Sequence, residues 1–259
     1  MSAEALGVPR PRPASDPFFV TQPDAAYWAG IVADGGVVTH PDLYAAAKRL
    51  RAVVYVEEMG FLDAEHVDSA GQEADAFDEQ SFHIVVVQAA TETRPVRVVG
   101  TMRVIVKADA ASQLPIEQDF ADAFAAPAVA PSAEISRFIA RHEDQGTQHL
   151  VAVSLIRAAT YQILGRGIDT AYFEIERPLL QLLRLIGIPM EQIGEPHLVQ
   201  EPGGLRTLYP LRVPVAELPS AVTNDGSGRF SLRDFFQSQE DAGGLGFFDA
   251  LLMGIPAHD

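Results

Sequence analysis

Apolar residues alternate with polar ones in several stretches, and this pattern predicts where the strands lie. Two β-branched runs, 82–88 and 96–106, flank a polar turn, which is the pattern of a β-hairpin. The apolar run 133–140 predicts a buried strand, and 168–175 predicts a further one. A last strand or pair of strands is predicted over 199–215, where a Pro-Gly-Gly sequence interrupts the pattern.

Apolar residues at helical spacing predict three longer helices. The first begins at Pro41, which suits a first helical turn, and ends before Gly60. The second covers about 148–164 and has a wide apolar face, and the third covers 179–186. The segment 108–132 is rich in alanine and proline and predicts a short helix and a loop.

The two ends of the chain differ from the middle, so we predict a single domain over 38–219. Residues 1–37 are rich in Pro, Ala and Gly and are expected to form an extended arm, with at most a short helix near 25–32. Residues 220–259 combine a Gly/Asn/Asp linker with several phenylalanines. We expect this tail to pack on the domain, and binding of a partner is the alternative.

Composition excludes several classes of partner. The chain has 259 residues, with 35 acidic against 19 basic ones and a formal net charge of −16. A field of this sign repels nucleic acid and anionic lipid, so an anionic partner must dock on a local basic patch, and we do not expect nucleic acid as a partner. The chain shows no secretory signal and no apolar run near the ~20 residues of a membrane span, so the expected location is the cytoplasm.

Metal and thiol chemistry have little support in the sequence. The chain contains no cysteine, which removes disulfides, thiolate nucleophiles and cysteine-ligated metals. His66, His83, His142 and His149 lack the spacing of metal ligands. We therefore expect no bound metal.

One glycine motif has the pattern of a phosphate cradle but stands in the wrong place. Residues 162–167 fit the Q-x-x-G-x-G pattern with which acetyltransferases bind a pyrophosphate. A phosphate site needs its glycines ahead of a helix, where free N–H groups face the anion. These glycines follow a predicted helix and are expected to end it. The turn 142–147, directly before that helix, is the better candidate.

Acidic and arginine side chains occur where the pattern predicts buried strands. Glu134 and Arg137 lie in the apolar run at the centre of the chain, and Arg103 lies in an equally apolar strand. Because buried charges are costly unless paired or used, these residues need partners. A long acidic loop ahead of the hairpin, with Asp75 and Asp78, can supply them. The alternative is that Glu134 and Arg137 form a structural ion pair.

Carboxylates and arginines without an enzyme nucleophile suit direct transfer between two bound substrates. A carboxylate can take the proton of an incoming ammonium, directly or through water. Arginines can hold carboxylates or a phosphate. The N–H groups of a strand can polarise a thioester carbonyl.

Five short motifs follow one another along the chain. They are Arg51 with Tyr55, Met59-Gly60-Phe61, Glu73-Ala74-Asp75-Ala76-Phe77-Asp78, Gly100-Thr101-Met102-Arg103 and Glu134-Ile135-Ser136-Arg137-Phe138. In order and spacing they resemble the autoinducer synthase superfamily, acyltransferases related to the GNAT fold. The resemblance covers about 43–215 and implies an α/β GNAT-like fold, a twisted mixed sheet flanked by helices.

The resemblance implies an N-acyltransferase that moves a fatty acyl group from acyl-carrier protein, or from acyl-CoA, to a small amine. The acyl-phosphopantetheine thioester is then a co-substrate, and no cofactor stays bound. N-acyl amino acid synthases, including the exosortase-associated type, acylate a free amino acid, and the block 55–61 is similar to theirs. Homoserine lactone synthases, which serve quorum sensing, use S-adenosylmethionine and are the alternative. A non-catalytic acyl-binding module is a second alternative.

Two departures from the family pattern leave the amine open. Phe61 stands where lactone synthases usually carry a tryptophan near the adenosylmethionine pocket. Val56 stands where the family has a cysteine. Neither departure affects the expected acyl transfer.

The resemblance also implies roles for individual residues. Glu134 is expected to act as general base, with Asp75, Asp78 and Arg103 shaping the amine site. Arg137 is expected to anchor the acidic loop or the substrate carboxylate. The other expected substrate-binding residues are Arg51, Tyr55, Phe61, Phe77, Thr101, Ser136 and Phe138. Acidic carrier protein should dock on a local basic patch, for which the candidates are Arg141, Arg157 and Arg166.

One geometric condition follows for the central strand. In a regular strand Glu134 and Arg137 point to opposite faces, because their separation is odd. Either a bulge lies between them, or the two residues serve different sites.

Overall fold

The computed structural model describes residues 18–22, 25–124, 128–201, 203–215 and 217. Within these residues a ten-stranded sheet is flanked by helices. The strands are β1 (Phe18–Gln22), β2 (Ala25–Asp34), β3 (Val37–Val38), β4 (Ser81–Gln88), β5 (Arg97–Lys107), β6 (Ser132–Ala140), β7 (Thr170–Ile175), β8 (Glu191–Gln192), β9 (His197–Glu201) and β10 (Gly204–Pro214). The α-helices are α1 (Pro41–Arg51), α2 (Pro115–Asp119), α3 (Gln145–Gly165) and α4 (Arg177–Ile186).

The sheet is mixed. Its strands follow the order β1-β2-β4-β5-β6-β7-β10-β8, with β3 beside β2 and β9 beside β10. Its described pairs are antiparallel except β6 and β7, which run parallel and are joined by α3. A crossover of this kind is needed because a tight turn cannot join parallel strands. The predicted α/β architecture is confirmed, including the hairpin of β4 and β5.

Helices cover both faces of the sheet. On one face α3 packs closely over β5, where a Cβ added to Gly100 would lie 2.5 Å from Cγ1 of Val151. The glycine of the Gly-Thr-x-Arg motif is therefore required by helix packing. On the other face Ala47 of α1 packs with Val85 and Val87 of β4.

The two parallel strands separate part-way along their length. β6 and β7 pair over Ser132–Ile135 and Thr170–Phe173. Beyond this point β6 continues beside β5, while β7 continues beside β10. The rest of β6, residues 136–140, therefore borders a V-shaped gap.

A bulge bends β6 inside the same stretch. The step from Ser136 to Ile139 on β6 lies opposite the shorter step from Arg103 to Thr101 on β5, so β6 contains one extra residue. Arg137, within this stretch, has a φ of 53°, a left-handed conformation that long side chains rarely adopt. Of the two alternatives that the sequence left open for Glu134 and Arg137, the structure shows a bulge, which includes Arg137.

The ends of α3 show which candidate phosphate motif opens a helix. Asp144 caps the start, where its carboxylate accepts the N–H of Thr147 at 2.7 Å. The end is followed by Gly167 with a φ of 66°, so the glycines of 162–167 terminate the helix as predicted. Among the helices that the structure describes, none is both long and apolar enough to cross a bilayer.

One prediction near the start of the chain is wrong. Ala25–Asp34, expected in an extended arm with a short helix, is strand β2 and pairs with β4, so the sheet begins before residue 38. The first helix is α-helical to Arg51 and continues as a π-helical segment, Ala52–Glu58. The tail predicted over 220–259 lies outside the described residues.

Candidate active site

A cleft of about 1240 Å³ opens where β6 and β7 part. It is bordered by residues 136–140 of β6, and the hairpin of β9 and β10 contributes His197, Val199, Arg206 and Leu208. The first turns of α3 also reach it. The predicted site residues that line it are Tyr55, Phe61, Asp75, Phe77, Arg103, Glu134, Ser136, Arg137, Phe138 and Arg141.

Six charged side chains at this cleft form a closed ring in which arginines and carboxylates alternate. In order around the ring they are Arg51, Glu73, Arg137, Asp75, Arg103 and Asp78. Each carboxylate is shared by two arginines, and each arginine binds two carboxylates. The ring therefore carries no net charge, and it ties the acidic loop to α1, β5 and β6.

Two of the arginines are almost fully buried. Arg103, 2% exposed, donates to Oγ of Ser136 at 3.0 Å, to Asp75 at 2.5 Å and to Asp78 at 2.9 Å. Arg51, 1% exposed, donates to the two oxygens of Asp78 at 3.1 and 3.2 Å. Because a buried guanidinium is costly without such partners, the ring meets the requirement that the sequence placed on Arg103.

Arg137 closes the ring from the bulge of β6. Its Nε and Nη2 donate to Oε1 of Glu73 at 3.2 and 3.1 Å, and Nη2 also donates to Asp75 at 3.0 Å. The other oxygen of Glu73 accepts from Nε of Arg51. Of the two roles predicted for Arg137, the structure shows the contact with the acidic loop.

The arginines keep the carboxyl groups of the ring ionised. Burial favours the neutral form of Asp78, but Arg51 and Arg103 outweigh it and lower its pKa to about 2. Burial also favours the neutral forms of Glu73 and Asp75, but the neighbouring arginines outweigh it and lower the pKa of both groups. The three carboxylates of the ring are thus fixed charges, and none of them is poised to exchange a proton near neutral pH.

Glu134 lies outside the ring and in the opposite electrostatic environment. It is 3% exposed, and its Oε2 accepts the N–H of Ile116 at 2.8 Å. Burial raises its pKa to about 8, although the Ile116 hydrogen bond and Arg103 reduce the rise. A carboxyl group that lines a cleft and titrates near neutral pH is suited to general base catalysis.

Aromatic side chains form another part of the lining. The ring centres of Tyr55 and Phe61 lie 6.2 Å apart, and the Tyr55 hydroxyl donates to the carbonyl of Phe138 at 3.1 Å. The guanidinium of Arg206 lies 3.4 Å from the ring centre of Phe61, and its Nε donates to Glu176 at 3.1 Å. A cation of the chain itself therefore covers a face of Phe61.

Three predicted residues lie behind the cleft and do not line it. Arg51 and Thr101 were expected to contact substrate, and this expectation is corrected because each is 1% exposed and is not among the residues that line the cleft. Arg51 is enclosed by its ring partners, and Thr101 pairs with Val85, which packs against α1. Asp78 also lies outside the lining, so it acts on the site through Arg103.

The arginines predicted to dock a carrier protein do not form one patch. Arg141 lines the rim of the cleft and pairs with Glu58 at 2.7 Å. Arg157 is half-buried within α3. Arg166 follows the far end of α3, ~30 Å from its start at 1.5 Å per residue, and pairs with Asp34 at 2.6 Å. Arg141 is therefore the candidate best placed beside the cleft.

Four acids that line the cleft were not among the predicted site residues: Glu58, Asp119, Glu174 and Glu176. Glu174 stands between Phe173 and Ile175 in an apolar strand, the same signal that marked Glu134, and could have been found. Asp119 ends a helix of five residues whose sequence carries no such signal. In the described part of the chain, no three acidic or histidine side chains are arranged to hold a metal ion.

The mixed sheet, the parted parallel strands and the bulged central strand form the GNAT-like fold that the sequence predicted. Residues 50–154 match the family described as "Acetyltransferase (GNAT) domain". No sequence among the curated proteins matches the chain.

Solved structures that share this fold include synthases of both kinds suggested by the motifs. The AHL synthase LasI has a TM-score of 0.56 and 16% identity, over 74% of this chain and 91% of LasI. BjaI, a CoA-dependent acyl-homoserine lactone synthase solved with SAM and isopentyl-CoA, has a TM-score of 0.52 and 19% identity, over 71% of this chain and 84% of BjaI. FeeM, an N-acyl amino acid synthase from uncultured soil microbes, has a TM-score of 0.55 and 20% identity, over 76% of this chain and 94% of FeeM. These structures establish the shared fold.

Proposed function

We propose that the protein is an N-acyltransferase that moves a fatty acyl group from a phosphopantetheine thioester directly to the amine of an amino acid. The observation that carries the proposal is the position of Glu134. Its buried carboxyl group, with a pKa of about 8, borders the cleft where β6 and β7 part. The match of residues 50–154 to a GNAT domain supports the same class of chemistry.

The edge of β6 and the carboxylate of Glu134 would share the chemistry. Because β7 pairs only with residues 132–135, the N–H groups farther along this edge can bind the thioester oxygen as it gains negative charge. Glu134 accepts one proton from the substrate ammonium, directly or through water, which frees the nitrogen lone pair to attack. The C–N bond forms, the C–S bond breaks, and the second nitrogen proton neutralises the departing thiolate. The products are an amide and a thiol, and Glu134 later releases its proton to water.

The start of α3 favours acyl-carrier protein over acyl-CoA as the donor. The predicted phosphate cradle 142–147 contains Glu143 and Asp144, and Asp144 already accepts the Thr147 N–H that an anion would otherwise bind. The several phosphate charges of CoA would meet these carboxylates, whereas a carrier protein presents a single phosphodiester. The carrier protein itself is expected at the rim near Arg141, with Arg157 and Arg166 as the weaker candidates.

The contact between Arg206 and Phe61 supports an amino acid as the acceptor. The resemblance to lactone synthases implies that S-adenosylmethionine would bind near the residue at this position, where it would have to share the ring of Phe61 with Arg206. Here the guanidinium of Arg206 covers a face of Phe61 at 3.4 Å. The shared fold with LasI and BjaI keeps the lactone synthase as the second candidate.

A product assay separates these possibilities. The purified protein is incubated with acyl-carrier protein or acyl-CoA, and with mixed amino acids or S-adenosylmethionine, and the products are identified by mass spectrometry. An N-acyl amino acid formed from acyl-carrier protein supports the proposal. An acyl-homoserine lactone supports the second candidate, and no transfer in any combination supports a non-catalytic acyl-binding module.

A further inference from the structure

The short helix α2 holds two carboxyl groups of the cleft at once. The N–H of Ile116, in its first turn, donates to Glu134 at 2.8 Å. The side chain of Asp119, its last residue, lies within hydrogen-bonding reach of the side chain of Glu174. Glu174 directly follows Phe173, the last residue of β7 that pairs with β6, so the three carboxyl groups border the same part of the cleft.

A hydrogen bond between two carboxyl groups determines how many protons they hold. A carboxylate has no hydrogen to donate, so one member of the pair must be protonated. In the described chain no N–H or hydroxyl group of the protein donates to the buried Oε1 of Glu174, so a proton shared with Asp119 would stabilise this carboxyl group.

The groups around the pair agree with this protonation. Burial raises the pKa of Asp119, and burial together with the charges of Glu134 and Asp119 raises that of Glu174 to about 9. His197 faces Asp119 from β9, while Arg103 and Arg137 act on Glu134 from the side of the ring. Carboxyl groups that face one another relieve their repulsion when one holds a proton.

We propose that Asp119 and Glu174 are positioning residues that share one proton and, through the single negative charge left on the pair, keep Glu134 basic enough to deprotonate the amine. The inference rests on the proposed role of Glu134. A negative charge beside Glu134 favours its protonated form, because two adjacent carboxylates repel. The carboxylate of Glu134 therefore takes the proton of an ammonium more readily than it would beside a neutral pair.

The shared proton is tested by following the side-chain carboxyl carbon of Glu134 in a ¹³C NMR titration of the purified protein, with no substrate present. Glu174→Gln and Asp119→Asn each keep one negative charge and supply an amide N–H in place of the proton. Their Glu134 midpoints should stay within about 0.3 pH unit of wild type, whereas Asp119→Asn/Glu174→Gln should lower the midpoint by about one pH unit. Glu65→Gln, at an exposed position, removes a charge far from the pair and should cause no change.

Each outcome of the titration decides a part of the inference. If the Glu134 midpoint falls in each single variant and falls further in the double variant, Asp119 and Glu174 carry two separate negative charges, and the shared proton is overturned. An unchanged midpoint in the double variant would overturn the effect on Glu134. Asp119→Asn/Glu174→Leu replaces the double amide variant if that one does not fold.

The pH profile of acyl transfer then links the pair to the reaction. The acidic limb of kcat/KM should move with the NMR midpoint in the double variant and stay in place in the single variants. If wild type transfers no acyl group, the proposed function fails, while the titration still decides whether the pair shares a proton. If the NMR midpoint of Glu134 moves in the double variant but the acidic limb of kcat/KM does not, the pair sets the pKa of Glu134, but Glu134 is not the base.

Discussion

Replacing Glu134 with glutamine removes the proposed base and keeps its shape. The amide can still accept the N–H of Ile116, but it cannot take a proton from the substrate. Loss of a general base typically costs about 10²–10⁴-fold in rate, so Glu134→Gln should lower kcat/KM by that factor. The ring of arginines and carboxylates does not include Glu134, so its contacts should persist in the variant.

The raised pKa of Glu134 predicts opposite pH trends for activity and for stability. Because the base must be ionised, wild-type kcat/KM should rise with pH through about 8. The folded protein binds the Glu134 proton more tightly than the unfolded chain, where the group has its ordinary pKa of 4.5. Its contribution to stability is therefore complete below pH 4.5 and is lost as pH rises through about 8. By pH 9 the buried charge should cost on the order of 3–5 kcal/mol, which Glu134→Gln avoids.

Two measurements on one variant check both trends. Thiol release is followed from pH 6 to 9, and urea unfolding is measured at pH 5 and pH 9. Glu134→Gln should be nearly inactive at each pH and more stable than wild type at pH 9, with a much smaller difference at pH 5. Glu57→Gln, at an exposed position, is the matched control and should change neither property. Activity within tenfold of wild type would refute the assignment of Glu134 as base.

Three further predictions concern the ring, the packing of α3 and the donor. Asp78→Asn removes one charge from the ring and leaves its arginines incompletely paired; urea unfolding should show a loss of about 3–5 kcal/mol, and a loss below 1 kcal/mol would contradict this account. Gly100→Ala places a methyl group against Val151 and should cost about 1–3 kcal/mol, which the second substitution Val151→Ala should largely restore if packing is the cause. Asp144→Asn keeps a capping oxygen but removes a negative charge, so the ratio of acyl-CoA to acyl-carrier protein activity should rise several-fold; an unchanged ratio would contradict the donor assignment.

The parts of the fold that could be predicted from sequence are those in which local signals agree. The hairpin of β4 and β5 has β-branched runs around a polar turn, and α4 ends at a glycine with a φ of 82°. Strand β2 could not be predicted in this way, because its ten residues include four alanines, which favour helix. Its partner β4 lies far along the chain, and pairing with that strand decides the conformation.

The sequence predicted that arginine and carboxylate side chains form the site, but it did not predict how these side chains are arranged. The sequence indicated that Arg103 needs an acidic partner, and the structure provides Asp75 and Asp78. That each carboxylate would join two arginines depends on the path of the acidic loop, which no local pattern specifies. For the same reason Arg51 and Thr101 were assigned to the cleft, although the fold buries both behind it.

Two opposite electrostatic environments meet on β6, and the bulge is what places both at one cleft. Arg137 belongs to a ring whose carboxyl groups have lowered pKa values, while Glu134, three residues earlier, has a pKa of about 8. Arg103 and Arg137 both act to lower the pKa of Glu134. Their positive charges are balanced within the ring by Glu73, Asp75 and Asp78, so less of their field reaches the base. The acidic loop therefore does more than hold the arginines in place, because by neutralising them it allows a carboxyl group beside two guanidinium groups to remain a base near neutral pH.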